Sequence, residues 1–262
     1  MRILLTNDDG IEAGGLACLE RIARTLSDDV WVVAPQEEQS GKGRGMTLTE
    51  PLRVNRLGDR RFAVTGTPTD CIVLAVGDLM PEKPDLVLSG VNRGHNVGED
   101  CSYSGTVAGA LQGMAFGIRS IALSQSLERF HDDVVVHWET AEAYAPAIIS
   151  RLLVQPWQDG VVMNLNFPAR PPEDVTEVEV TRQGFRGIGE MHAVKRVDMR
   201  GRDYYWMSFR GAKRDHAPGT DLRAMDEGKI SVTPLHIDLT HAPSIHDLKG
   251  VLGGAPPQTV VA

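Results

Sequence analysis

The sequence predicts an α/β fold, a mostly parallel sheet with helices on both faces and a small β-rich C-terminal extension. Two observations carry this. Short apolar runs of strand length alternate with segments of helical period through the first half of the 262 residues. After Pro168, Pro171 and Pro172 the long helical segments stop and alternating strands take over.

The first strand covers residues 2–7, where apolar Ile3, Leu4 and Leu5 run into the turn Asn7-Asp8-Asp9-Gly10. A helix over 15–26 follows, because Leu16, Leu19, Ile22, Ala23 and Leu26 recur on one face. Strand 30–34 comes next. An antiparallel pair, 52–56 and 61–65, turns at Gly58-Asp59 and interrupts the alternation. Helix 69–79, strand 86–89, helix 106–116 and strand 120–124 then resume it. Parallel neighbours need such crossover helices. Helix 138–153 leads to strand 160–166. Beyond the prolines, 175–181, 194–199 and 204–210 read as strands, the last two joined by a turn at Arg200-Gly201-Arg202. Such an extension buries little alone, so it is expected to pack on the main sheet or on a partner subunit. Residues 221–227 read as a short helix, and 229–234 as a strand returning to the core. The Gly- and Pro-rich tail after Gly250 is expected to be loosely ordered.

Hydrophobic residues make up 42% and charged residues 24%, as in soluble globular proteins. The net charge of −8 argues against binding a nucleic-acid duplex through bulk electrostatics. It leaves room for a small phosphorylated substrate held by a local cation. No apolar stretch approaches the roughly 18 to 20 residues of a membrane span. The N-terminus lacks a signal-peptide pattern, so the expected location is cytoplasmic, with no membrane partner. Cys18, Cys71 and Cys101 form no CxxC pair or zinc spacing and read as reduced thiols.

Three loops carry candidate chemistry. Asp8 and Asp9 end the first strand, where open α/β sheets bind ligands. Adjacent carboxylates repel, and a cation or a shared proton must compensate. Residues 35–47 supply Ser40, Lys42 and Arg44. Residues 89–106 supply Asn92, Asn96, Glu99, Asp100, Ser102 and Ser104. Asp8 and Asp9 with a Ser40 hydroxyl and an Asn92 amide oxygen would form an oxygen-only set. It suits Mg²⁺, Mn²⁺ or Ca²⁺ and leaves positions open for water and substrate. Ser104, Gly105 and Thr106 open a helix of small residues, whose N-terminus is a ready anion site. Lys42, Arg44 and Arg93 would add positive charge. Each feature also has a structural reading. Asp8-Asp9 fits a turn and helix cap, Ser40-Gly41 a solvated turn, Asn92 and Asn96 left-handed loop positions, and Ser104–Thr106 a cap. His95 reads as solvent-exposed, and nothing marks Cys101 as a nucleophile. No GxGxxG, Walker A or GxSxG motif is present.

Together, RILLTNDDG, VVAPQEEQSG, VTGTPTDC, PDLVLSGVNRGHNVGED and YSGTVAGA resemble the SurE (stationary-phase survival protein) family of metal-dependent 5′-nucleotidases. MNLNFP, TRQGFR and TDLRAMDEGKISVTPL extend the resemblance to about Leu239. It implies a Rossmann-like core with metal site over residues 1–170, a β-hairpin oligomerisation extension over 171–228, and a return strand and tail over 229–262. It implies a homodimer or homotetramer with one divalent cation per subunit, Mg²⁺ or Mn²⁺. The ligands it implies are Asp8, Asp9, Ser40 and Asn92. The phosphate-facing residues it implies are Asn92, Ser104, Gly105 and Thr106. The chain departs from the family at KGRGMT, at Glu99-Asp100 and at Cys101-Ser102 before Tyr103.

The expected reaction is hydrolysis of nucleoside 5′-monophosphates to nucleoside and phosphate, with 3′-monophosphates open. Asp8 or Asp9 would activate water or attack directly, and Asn96 would orient the substrate or its loop. The alternative is a non-catalytic stress sensor that binds metal and nucleotide. A nucleotide-sugar transferase is disfavoured, because its acids are usually spaced as DxD.

Overall fold

The structure, a computed structural model, describes residues 1–130, 133–186, 191–209 and 215–253. A nine-stranded sheet forms its centre. Five parallel strands dominate: β1 (Arg2–Thr6), β2 (Asp29–Pro35), β5 (Leu86–Arg93), β6 (Arg119–Gln125) and β9 (Val161–Phe167). β3 (Val54–Gly58) and β4 (Arg61–Val64) form the antiparallel pair expected around Gly58-Asp59. This pair joins the sheet rather than interrupting it, since β4 also pairs parallel with β2. At the other edge β13 (Ile230–His236) returns antiparallel to β9, and β10 (Val178–Val180) runs parallel beside it.

Helices cover both faces. α1 (Gly14–Leu26) packs against β1, β5 and α4 (Trp138–Leu153). Its apolar stripe, Leu16, Leu19, Ile22 and Ala23, is buried with Ile3, Leu5 and Leu88. α2 (Pro68–Leu74) and α3 (Gly105–Ala115) cover the opposite face, where Leu4, Val33, Ile72 and Val87 form a second core. The helix expected over 69–79 changes winding at Ala75 and finishes as a π-helical turn, Ala75–Leu79.

The order β10-β13-β9-β6-β5-β1-β2-β4-β3 places a switch point between β1 and β5. From β1 the chain builds outward to β2 and β4, then crosses back to β5 and builds the other way. A crevice opens at the strand ends there.

Three elements escaped the sequence pattern. A short hairpin, β7 (Leu127–Phe130) and β8 (Asp133–Val136), follows β6. A helix α6 (Ala242–Leu252) occupies part of the expected tail; residues 254–262 lie outside the described residues. The hairpin's β7 mixes Leu127 with charged Glu128 and Arg129, and exposed α6 buries no residue, so neither shows a clear apolar stripe. The hairpin of β11 (Met191–Val197) and β12 (Asp203–Phe209) stands apart as its own two-stranded sheet. Its turn is held by Asp198 Oδ1, which accepts from the N–H groups of Arg200 (2.8 Å) and Arg202 (2.9 Å). α5 (Asp221–Asp226) precedes β13.

Candidate active site

β1 delivers Asp8 and Asp9 to the switch point. Asp8 is only 4% exposed. Its Oδ1 accepts a 2.5 Å hydrogen bond from Thr106 Oγ1, and its carboxylate also accepts from the Gly105 N–H. Gly105 begins α3, and this contact needs glycine. A Cβ there would lie 2.7 Å from Asp8 Cβ. The helix N-terminus therefore seats directly on Asp8, where its dipole favours an anion. Asp9 Oδ2 accepts from the Arg93 N–H at 3.2 Å.

Burial pushes the Asp8 carboxyl above its ordinary pKa, against the lowering effect of the Thr106 bond. Asp9 is pushed up to about 6, first by burial and then by the neighbouring Asp8 charge. Glu38 adds negative charge to both. Among the described residues, no Lys or Arg forms a salt bridge with either aspartate.

β2 delivers the second loop. The Gln39 N–H donates to the Asp8 carbonyl at 2.7 Å, which fixes this loop beside the first turn. Ser40 Oγ donates to Glu38 Oε1 at 2.9 Å, and its lone pairs remain as donors to a cation. Lys42 and Arg44 do not reach the aspartates. Lys42 Nζ donates to Gln39 Oε1 (2.7 Å), and Arg44 Nη2 to Gln112 Oε1 (3.0 Å).

β5 delivers the third. Its register against β6 shifts between Ser89 and Asn92. Gly90 makes the shift sterically feasible. It holds φ +137°, and a Cβ there would fall 2.2 Å from the Leu123 carbonyl. Asn92 follows, half-buried. Its Nδ2 donates to the Gly94 carbonyl at 2.7 Å, which orients the amide and assigns Oδ1 as its acceptor atom.

The donor chemistry fits a hard divalent cation. Buried Asp8 and half-buried Asp9, without a salt-bridge partner, sit on a turn that the loops carrying the Ser40 hydroxyl and the Asn92 amide meet through the Gln39 and Arg93 N–H groups. Among the described residues no group of three or more His, Cys, Asp or Glu is placed to hold a metal. A cation here must use those neutral oxygens.

Other expected residues have internal partners. Ser104 caps α3, its Oγ accepting from the Val107 N–H at 3.0 Å. Asn96 is buried. Its N–H donates to Asn166 Oδ1 (2.8 Å), its Nδ2 to Ser124 Oγ (2.9 Å), and its carbonyl accepts from Asn164 Nδ2 (2.8 Å) and Asn166 Nδ2 (3.1 Å). It anchors its loop to β6 and β9. The Cys101 thiol points at the Asn96 carbonyl and is pushed up to about 12 by burial, so it carries no thiolate at neutral pH. Exposed His95 places Nδ1 3.0 Å from Ser126 Oγ.

Sequence reasoning missed the residues that brace this loop from behind. Buried Asp221 takes three N–H groups, from Gly98 (2.8 Å), Gly184 (2.7 Å) and Leu222 (2.8 Å). Glu99 Oε2 accepts from the Arg186 N–H at 2.9 Å, and Asp100 lies 2.6 Å from Arg186 Nη1. The departures at Glu99-Asp100 therefore latch the TRQGFR segment to the loop. One signal was available for the asparagines: Asn164 and Asn166 sit at period 2 in an otherwise apolar strand, on one face.

Residues 3–190 match the family model described as "Survival protein SurE". A relative from Caulobacter vibrioides, named 5′-nucleotidase SurE, is 65% identical over the full length of both chains. One of the same name from Hyphomonas neptunium is 53% identical, covering 95% of this chain and 98% of its own. The crystal structure of the SurE protein from Aquifex aeolicus superposes with a TM-score of 0.78 at 36% identity, covering 96% of this chain and 99% of its own.

Proposed function

The chain belongs to the SurE family, and from that premise we propose that it is a 5′-nucleotidase hydrolysing nucleoside 5′-monophosphates to nucleoside and phosphate at the Asp8-Asp9 turn. The relatives' names support nucleotide hydrolysis and lend nothing to the sensor alternative. The observation that carries the reading is the pair of adjacent carboxylates, Asp8 buried and Asp9 half-buried, without a salt-bridge partner at the β1/β5 switch point, met by the Ser40 and Asn92 loops.

A divalent cation, Mg²⁺ or Mn²⁺, held by Asp8, Asp9, Ser40 and Asn92 would supply positive charge opposite the phosphoryl oxygens. The chain's own groups do the rest. Thr106 Oγ1 and the Gly105 N–H fix Asp8 in one orientation. Asp9, held through Oδ2, keeps acceptor capacity on Oδ1 for the proton of an attacking water. The water oxygen bonds to phosphorus as the bond to the 5′ oxygen breaks; that oxygen leaves as a hydroxyl with a proton from solvent, and Asp9 returns to solvent the proton it accepted. Of the first-turn donors of α3, the Gly105 N–H serves Asp8 and the Val107 N–H serves Ser104. The phosphate-facing share of this turn narrows to the Thr106 N–H and the helix dipole. Asn96 acts on the loop, through Ser124 and Asn166, rather than on substrate.

Assembly as a dimer or tetramer belongs to the same reading. The β11–β12 hairpin exposes Tyr204, Tyr205, Trp206 and Met207, a composition typical of buried interfaces.

Phosphate release from a panel of 5′- and 3′-monophosphates, with and without Mg²⁺ or Mn²⁺, tests the proposal. Release that stops on chelation is the expected result. Nucleotide binding with no release under any cation would return the sensor reading.

A further inference from the structure

The second loop is tied to the fold at both ends, by different elements. At its start the Gln36 N–H donates to the Val64 carbonyl at 2.8 Å and the Gln39 N–H to the Asp8 carbonyl at 2.7 Å. Ser40 comes next. Beyond it Gly41 and Gly43 take φ of +75° and +53°, a region that favours glycine. A segment this rich in glycine keeps one geometry only if its far end is also pinned. Midway, the Gly43 N–H donates to the Tyr103 carbonyl at 3.0 Å, so the second loop also pulls on the third. The far end is pinned by the start of α2. Thr67 Oγ1 donates to the Gly45 carbonyl at 2.7 Å. Buried Asp70 takes both donors of one loop residue: Oδ1 accepts from the Thr47 N–H at 3.0 Å, and Oδ2 from the Thr47 hydroxyl at 2.7 Å.

We propose that Asp70 is a positioning residue for the metal site: it anchors the second loop to α2 and so holds the Ser40 hydroxyl beside Asp8 and Asp9. The inference rests on the nucleotidase reading and its cation, and adds to that site a residue that acts from outside it, through Thr47 and the loop backbone. Asp70 has a second role with which this one must be compared. Its Oδ2 accepts from the Thr67 N–H at 3.0 Å, and its N–H donates to Thr67 Oγ1 at 3.2 Å, the reciprocal capping box of α2. The box uses Oδ2 alone. Oδ1 serves only Thr47 among these bonds, and the Thr67 hydroxyl that caps the helix also holds Gly45. The same two side chains therefore start the helix and fasten the loop. A buried carboxylate with all its donors on backbone and hydroxyl groups is rigid, because letting one go leaves an unmatched group out of water.

The test separates the two roles. Thr47→Val removes the hydroxyl on the loop side and leaves the capping box intact, whereas Thr47→Ser keeps the bond. Asp70→Asn sets an amide N–H against the N–H of Thr47 or of Thr67. Mn²⁺ binding is measured by calorimetry on each protein without substrate. Loop order is read from the rate of trypsin cleavage after Lys42 and Arg44, and folding from thermal melting. The expected result is an Mn²⁺ Kd raised about fivefold in Thr47→Val and about tenfold in Asp70→Asn, with faster cleavage in both. Thr47→Ser should match wild type, and saturating Mn²⁺ should restore kcat in Thr47→Val. An unchanged Mn²⁺ Kd in Thr47→Val overturns the proposal, as does a loss shared equally by Thr47→Ser. A lowered melting temperature in Asp70→Asn with Mn²⁺ affinity intact overturns it in favour of a helix cap alone. Wild-type protein that binds no Mn²⁺ removes the cation and the proposal together. Mn²⁺ binding that weakens in the variants, with no phosphate released from any nucleotide by wild type, sustains the role of Asp70 and sinks the nucleotidase reading.

Discussion

The two ends of the central sheet treat acidic residues in opposite ways. At the amino end, Asp29 opens β2 and meets Arg2 Nε at 3.0 Å and Arg60 Nη1 at 2.9 Å, while Arg2 Nη1 reaches Glu82 at 3.0 Å. Those charges close among themselves at the surface. At the carboxyl end, Asp8 and Asp9 follow β1 and receive N–H and O–H groups, with no salt bridge. Neutral donors orient a carboxylate without cancelling its charge. The first end is complete as a piece of structure. The second carries surplus negative charge in a place where desolvation makes it costly, a cost a cation from solution would offset.

The sharpest way to break this contrast is Asp8→Asn, which removes one charge and keeps the shape. Turnover should fall about 10²- to 10³-fold, the range for losing a transition-state charge contact. Wild-type protein should gain thermal stability on adding Mn²⁺, about 2.7 kcal/mol at 100 times Kd. The variant should lose that gain in a melting experiment. Arg2→Gln, at the self-closed end, should keep both turnover and the Mn²⁺ shift. An Asp8→Asn enzyme with normal phosphatase activity in Mn²⁺ would end the argument.

A smaller effect is expected at Thr106, whose hydroxyl would act on a proposed cation only through Asp8. Thr106→Val deletes that hydrogen bond in a buried site. Metal affinity should weaken about 10- to 100-fold, as for other groups that orient a ligand. Titration of activity against Mn²⁺ separates this from simple unfolding, because saturating metal should restore most of kcat. Thr106→Ser should behave as wild type.

The sheet and the turn that carries Asp8 and Asp9 were legible because each rests on local pattern. Ile3 to Leu5 spell a buried strand, Leu16, Leu19 and Ile22 a helix face, and Asp8-Asp9 a turn at a strand end. The braces were not, because they join residues far apart in sequence. Asp221 reaches Gly98 across 123 positions, and Asn166 reaches Asn96 across 70. No periodicity encodes such pairs. Thr106 was legible as part of the site but not as the Asp8 partner, since the YSGT segment shows a helix start without showing what lies against it.

Asp221 extends the contrast behind the site, where an acid is again held by N–H groups alone in the hydrogen bonds it makes. Asp221→Asn places an amide N–H against the Gly98 or Gly184 N–H and loosens the loop that carries Asn92 and Asn96. Stability should drop about 1 to 3 kcal/mol for the unmatched donor. At temperatures where the variant stays folded, kcat should fall about tenfold with KM for ribose 5-phosphate little changed, the pattern of a loop displaced rather than a contact deleted. Equal losses in kcat and in folded fraction would reduce Asp221 to a purely structural part.

The smallest effect is expected where the paired logic of the amino end recurs near the site. The β7–β8 hairpin leaves the carboxyl end of β6, and its base is clasped by His137, with Nε2 2.7 Å from Glu128 and Nδ1 2.8 Å from Glu139. Burial pulls the imidazole pKa down, but the hydrogen bonds to the two glutamates outweigh it and hold the ring above its ordinary value. A group whose pKa is raised on folding stabilises most when protonated. The clasp is therefore fully present below the ordinary histidine pKa of about 6.5 and is lost as pH rises through the raised value. Because the glutamates are partly solvated, the gain should be under about 1 kcal/mol. Urea denaturation of wild type and His137→Gln should differ at acidic pH and converge at alkaline pH. A difference that persists unchanged at high pH would show that the ring holds the hairpin by packing rather than by charge.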